Sequence, residues 1–265
     1  MTLRPKPPAP AVNLLEDNHV HTRLCNHAAG EMEEYVLAAI GRGLTAITFL
    51  EHLEVAIHYF ERTWLTEEDF TFYFREGERL REKYRDRIRI QMGVEVGYNP
   101  QAIDLLKSRL RDLPWDRTGL SYHFLFDGEK HLNMVSRRRE NIDALTALGP
   151  SKVVTSYLDG LIQGVRELDC QILCHLDAVM RHSPALQFHA SHWEQVDTLL
   201  QLMRDKGMAL ELNTSGFTLR NTPYPCHRIV RRAVELGIPL IAGSDSHRPG
   251  QVGRDFDRLP SFLGV

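Results

Sequence analysis

The sequence predicts an α/β fold in which a parallel sheet closes into a barrel, and three observations carry that expectation. Short apolar, β-rich runs alternate with longer segments of helical periodicity along the chain. No run of consecutive strands interrupts the alternation, so neighbouring strands are expected to be parallel and joined by crossover connections. Polar residues follow nearly every strand-like run, which suits the C-terminal rim of a ring better than an open sheet with its single switch point. At 265 residues, with 43% hydrophobic and 25% charged side chains, the chain fits one ordinary globular domain spanning 1–265. Its proline-rich start, residues 1–11, reads as a flexible leader.

Taken in order, the expected strands are Val12 to Leu15, Ala46 to Leu50, Ile88 to Val94, Thr118 to Tyr122, Ile172 to Cys174, Ala209 to Leu212 and Pro239 to Ala242. Each is short, rich in Val, Ile, Leu or Phe, and followed by polar residues. Between them, residues 31–43, 67–85, 100–112, 151–168, 191–207 and 225–237 place apolar side chains at i, i+3 and i+4, several ending in glycine, as helices do.

Charge and composition exclude several functions. Lysine and arginine total 32 against 35 acidic residues, a formal charge of -3, so no basic field advertises nucleic acid or an anionic membrane. No apolar run approaches the roughly 18 residues that span a bilayer, and MTLRPKPPAP lacks a secretory signal's apolar core, so a cytoplasmic protein is expected. The four cysteines are scattered and are expected to be reduced.

The 13 histidines carry the chemistry. The first strand runs into Asp17-Asn18-His19-Val20-His21, and residues two apart in extended chain face the same side, so His19 and His21 can clip one ion. Alone such a pair can equally be a satisfied polar pair. It has company: His27 follows, the second strand ends in Glu51-His52, and the third in Gly93-Val94-Glu95-Val96-Gly97. The fourth ends in Tyr122-His123, the fifth in Cys174-His175 and the seventh in Gly243-Ser244-Asp245-Ser246-His247. These nine ligands, His19, His21, His27, His52, Glu95, His123, His175, Asp245 and His247, exceed what one tetrahedral ion needs. They imply two or three divalent ions sharing a bridging carboxylate such as Glu95, hence a multinuclear hydrolytic site.

With those motifs in place, the chain resembles the PHP (polymerase and histidinol phosphatase) metal-dependent phosphoesterases, in the histidinol-phosphatase branch, over about residues 13 to 255. The resemblance implies a distorted (β/α)7 TIM-like barrel with a trinuclear centre. One ion would be held by His19, His21, Glu95 and Asp245, a second by Glu95, His123 and His175, a third by His27, His52 and His247. It further implies that Arg220 and Arg181 bind phosphate and join Glu95 and Asp245 as catalytic residues, Arg220 being the better match, and guanidinium forks suit that task. The implied reaction is hydrolysis of a small phosphorylated substrate, L-histidinol phosphate giving L-histidinol and phosphate. The ions would activate water and neutralise charge on phosphorus. Imidazole with carboxylate suits zinc, iron and manganese alike.

Three other readings stand beside this one: a PHP phosphoesterase acting on another small monoester or nucleotide, a proofreading nuclease, and a non-catalytic metal-binding protein of the same fold. The remaining histidines are read as exposed or satisfied side chains, with His131 and His182 as possible pocket residues. Cys170 and Cys174 are read as core, RIVRR and SRRRE as solvated faces. Asp177 either orients His175 or caps the following segment.

Overall fold

The computed structural model describes residues 12–264, so the expected leader, 1–11, lies outside the described residues. Seven parallel strands form one sheet in the order β1 (Glu16–Val20), β2 (Ala46–Leu53), β3 (Arg89–Gly97), β4 (Arg117–Ser121), β7 (Ile172–Leu173), β8 (Ala209–Asn213) and β9 (Leu240–Gly243). The ends of the sheet nearly meet. His21 N–H donates to Ser246 O (2.9 Å) and the Asn18 amide to Ala242 O (3.0 Å), joining the first strand to the last. The result is the expected, nearly closed barrel of seven strands.

Helices form where periodicity places them: α1 (Met32–Gly41), α2 (Glu67–Tyr84), α3 (Ile103–Asp112), α5 (Pro150–Glu167), α6 (Ala190–Lys206) and α8 (His227–Glu235). α5 shows the cause. Val153, Val154, Tyr157, Leu158, Leu161, Ile162 and Val165 are all buried along one stripe, each such side chain contributing about 1.5–3 kcal/mol by leaving water. α2 starts at a reciprocal cap: Thr66 N–H donates to Asp69 (2.8 Å) and Asp69 N–H to the Thr66 hydroxyl (3.2 Å).

Two parts depart from expectation. The first strand begins at Glu16 rather than Val12, because Asn13 accepts from Leu15 N–H (3.0 Å) and holds those residues in a turn. The polar Asp17-Asn18-His19 therefore lies inside the strand. Asp17, fully buried, accepts from the N–H groups of His19 (3.3 Å), Ser244 (2.9 Å) and Gly253 (2.7 Å), and these bonds override its poor strand propensity. After β4 there is a hairpin, β5 (Phe124–Phe126) with β6 (His131–Asn133), then α4 (Arg139–Leu148). Asp127 N–H donates to Lys130 O (3.0 Å), which leaves Gly128-Glu129 at the tip, and the Asp127 carboxylate accepts from Glu129 and Lys130 N–H.

Glu33 ties α1 to α2, accepting from Arg79 (2.6 Å), Lys83 (2.5 Å) and Tyr84 (2.6 Å). The hydrogen bond from Lys83, with those from Tyr84 and Arg79, takes its carboxyl from the ordinary 4.5 down to about 2. A depressed folded-state pKa stabilises above 4.5 and loses that contribution as pH falls toward 2. Glu33→Gln is therefore expected to lower Tm by about 1–2 °C at pH 7, this being a solvent-screened network. Thermal melts at successive pH values should show the difference closing between pH 5 and 2.

Candidate metal centre

Glu95 stands at the middle of the barrel mouth, completely buried. Its Oε1 lies 2.7 Å from His175 Nε2 and 3.2 Å from His123 Nε2. Its Oε2 lies 2.9 Å from His52 Nδ1, 3.4 Å from His19 Nε2 and 3.6 Å from His21 Nε2. One carboxylate thus meets five imidazoles delivered by β1, β2 and the segments after β4 and β7. Asp245 Oδ1 approaches His21 Nε2 and His247 Nδ1, each at 3.5 Å. His27 joins from the far side, its Nε2 2.8 Å from His247 Nε2. All nine residues expected as ligands are therefore gathered around one cleft. His52 and His247 lie near His27, the third expected set, and within reach of His21 as well.

The tautomers decide what this set can hold. His27 Nδ1–H donates to Cys25 O and His247 Nδ1–H to Asp245 O, both at 3.0 Å, and a carbonyl can only accept. Both Nε2 atoms then present lone pairs to each other across 2.8 Å, an arrangement that calls for a cation between or beside them. His19 Nδ1–H donates to Glu211 (2.7 Å), which turns its Nε2 toward His21 Nε2 at 2.9 Å. Buried His21 Nδ1 has no hydrogen-bond partner among the described residues, and His52 Nδ1 and Glu95 Oε2, 2.9 Å apart, are not aligned for a hydrogen bond to each other. Convergent lone pairs and orphaned buried atoms fit a divalent metal centre.

Electrostatics divides the cluster. Burial would lower His19, His21 and His123, but Glu211 and Glu95 outweigh it at His19, Asp245 and Glu51 at His21, and Glu95 and Glu54 at His123, which is pushed up to about 10. Burial alone would raise Glu95, but His123 and His19 outweigh it and hold the carboxyl well below the usual range. Burial opposes Asp245 in the same way and is outweighed by His21, His19 and Arg181. Burial, with the charge of His21, keeps His52 and His247 well below the ordinary imidazole value, so both are neutral and able to ligate. His175 and Asp245 also have positive φ, 26° and 50°, unusual for side chains of this kind and frequent where a site dictates the backbone.

Three carboxylates that sequence reasoning passed over support the imidazoles from behind. Glu54 accepts from His123 Nδ1 at 2.8 Å. Glu211 accepts from His19 Nδ1 and, through its other oxygen, from His175 N–H (2.8 Å). Glu51 accepts from Thr22 N–H (2.8 Å) and its hydroxyl (2.5 Å), fixing the chain just after His21. Such partners set tautomer and ring orientation. Their signal was a glutamate set among apolar strand residues, as in Leu53-Glu54-Val55 and Leu210-Glu211-Leu212.

The two arginines separate. Arg181 lines the cleft of about 550 Å³ above the imidazoles, its guanidinium 3.0 Å from Ser215 Oγ and 3.3 Å from Asp245 Oδ2. Arg220 is absent from that lining. Its fork closes on Asp177 at 2.9 and 2.8 Å and stacks over Tyr224 at 4.0 Å. Asp177 is thereby occupied with Arg220 and Cys226 N–H (2.8 Å), and neither orients His175 nor caps a helix. His182 does line the cleft, whereas His131 lies in a separate surface cleft with His58. Arg137 and Arg138, expected on a solvated face, line the cleft mouth because the β5–β6 hairpin carries them there. Cys170 and Cys174 are buried and free.

No helix among the described residues is long and apolar enough to cross a membrane. The chain is 29% identical over 247 residues to the "Probable histidinol-phosphatase" of Deinococcus radiodurans, covering 91% of this chain and 89% of that protein. It is 25% identical to the histidinol-phosphatase of Bacillus subtilis, covering 91% and 96%. In fold it is similar to the HisK protein of Listeria monocytogenes, with a TM-score of 0.83 and 24% identity over 92% of this chain and 99% of that one. It is also similar to histidinol phosphate phosphatase of Lactococcus lactis solved with zinc, L-histidinol and phosphate, with a TM-score of 0.75 and 20% identity over 94% and 92%. A family model for the PHP domain matches residues 17–215 and one described as PHP-associated matches 223–255. The stretch from Asp17 to Ser215 holds every imidazole of the cluster but His247, together with the carboxylate at its centre, and on that match the chain belongs to the PHP family.

Proposed function

We propose that this protein hydrolyses L-histidinol phosphate to L-histidinol and inorganic phosphate, as one cytoplasmic catalytic domain. The observation that carries the reading is Glu95 meeting five imidazoles on the floor of a cleft that also presents Arg181. The names of the relatives, and the zinc, L-histidinol and phosphate held by the Lactococcus protein, support the substrate. His19, His21, His27, His52, Glu95, His123, His175, Asp245 and His247 would hold two to three divalent ions, zinc, iron or manganese. Bound there, the ions supply Lewis-acid charge and lower the pKa of water.

The chain's own groups do the rest. Arg181, held by Ser215 and Asp245, presents its guanidinium to the non-bridging phosphoryl oxygens and stabilises the charge that develops there. Arg220 acts one step back: by neutralising buried Asp177 it fixes the Asp177–Cys226 contact and shares the Tyr224 face with Arg181.

The test is phosphate release from L-histidinol phosphate beside AMP and p-nitrophenyl phosphate, with metal content read on the same sample. Expected are a preference for L-histidinol phosphate of about 10²-fold or more in kcat/KM, and loss of activity on chelation that returns with metal. Comparable turnover of AMP would discard the substrate, and no turnover of any ester by metal-replete protein would discard the enzyme.

A further inference from the structure

A phosphate monoester whose phosphoryl oxygens face Arg181 and the imidazoles must point its alcohol portion toward the cleft mouth. That mouth is built by the loop after β2 and by the β5–β6 hairpin with the turn that follows it, which contribute Tyr59, Glu61, Phe124, Arg137 and Arg138. Its charges are uneven. Arg137, Arg138 and Arg181 would repel an ammonium group, and three of the four carboxylates lining the cleft, Glu54, Glu95 and Asp245, are buried against imidazoles. The fourth is Glu61, whose side chain is 43% exposed.

Glu61 is held but not used up. Arg138 donates to it from Nε (3.2 Å) and Nη2 (2.7 Å), and both bonds fall on Oε2, so Oε1 has no hydrogen-bond partner among the described residues. The loop that carries it is pinned on both sides: before Glu61, His58 N–H donates to His131 Nδ1 (3.0 Å) and His131 N–H to His58 O (3.1 Å). Asn26 donates to Arg62 O (3.4 Å), Arg62 to Asp69 (3.0 Å), and Leu65 N–H to His52 O (3.1 Å). A carboxylate oxygen is therefore presented to the mouth at little further cost in ordering. Beside it, Phe124 and Tyr59 meet edge to face with centroids 5.2 Å apart, offering an apolar flank to a flat ring.

Resting on the proposed phosphatase reading, we infer that Glu61 is the specificity residue that receives the ammonium of an amino-alcohol phosphate. The site then selects esters carrying a cation near the phosphate over neutral or anionic ones. Arg138 keeps Glu61 aimed, and Arg137 and Arg138 add a penalty against cationic groups seated anywhere else in the mouth.

The experiment compares wild type, Glu61→Gln and Glu61→Asp on L-histidinol phosphate and on its amine-free counterpart, 3-(imidazol-4-yl)propyl phosphate. For a partly exposed pair, Glu61→Gln is expected to raise KM for L-histidinol phosphate about five- to tenfold with kcat within about twofold, leaving KM for the amine-free ester within about twofold. Glu61→Asp should recover part of the loss on the amine-bearing ester alone. If KM rises equally for both esters, or for neither, Glu61 does not read the ammonium. Failure of the proposed substrate shows differently, as wild type that turns over AMP as well as L-histidinol phosphate, where the paired esters still decide the role of Glu61; failure of the phosphatase reading shows as no turnover of any ester by metal-replete wild type, and overturns the role of Glu61 with it.

Discussion

Glu95→Gln is expected to lower kcat/KM for phosphate release by about 10³-fold or more, and to reduce the metal retained per chain by at least one ion. The size of the effect follows from its position. One carboxylate lies within 3.6 Å of ring nitrogens of His19, His21, His52, His123 and His175, so no neighbouring acid can replace it. Among the imidazoles Asp245 meets His21 and His247, and Glu54 and Glu211 are engaged on the outer nitrogens of His123 and His19. Glutamine keeps the volume and removes the charge, and an amide is a far poorer ligand for a divalent ion than a carboxylate. Metal analysis, steady-state kinetics and a thermal melt on one preparation separate a lost centre from a lost fold. Full activity with full metal content in the glutamine variant would remove Glu95 from the centre of the chemistry.

The convergence of the nine candidate ligands was legible from sequence because metal-binding chemistry restricts residue type and their positions follow strands. Imidazoles at the ends of apolar runs have few structural excuses, and a parallel barrel delivers every strand end to one rim. The carboxylates behind them were not legible in the same way. Glu54 and Glu211 look like ordinary charges in a chain with 35 acidic residues, and only the fold shows each aimed at an outer imidazole nitrogen. Arg181 and Arg220 were ranked by motif position, yet the distinction is spatial: one guanidinium faces the cleft and the other is committed to Asp177. Arg137 and Arg138 read as a solvated run because nothing in a local window reveals that a hairpin carries them to the mouth. The shifted first strand has the opposite cause. Its polar residues look unfit for a strand until their partners, Ser244 and Gly253, arrive from the far end of the chain.

Gly97 connects backbone packing to the metal centre, and Gly97→Ala is expected to cost about 10- to 100-fold in metal affinity or activity while leaving a folded protein. A methyl group at this position would overlap the Glu54 carboxylate. That carboxylate accepts from His123 Nδ1 at 2.8 Å and so directs His123 Nε2 toward Glu95 at 3.2 Å. The displaced side chain has somewhere to go, since Glu54 also borders an apolar cleft of about 390 Å³ walled by Leu53, Leu65, Phe70 and Phe74. Movement into it releases His123 without breaking the barrel. A double-mutant cycle isolates this route. Glu54→Ala removes both the clash and the orienting bond, so Glu54→Ala combined with Gly97→Ala should be no worse than Glu54→Ala alone. Glu54→Gln, whose amide oxygen still accepts from Nδ1–H, should lose least. Losses that add in the double variant, with metal content unchanged, would mean that Gly97 matters for the strand and not for His123.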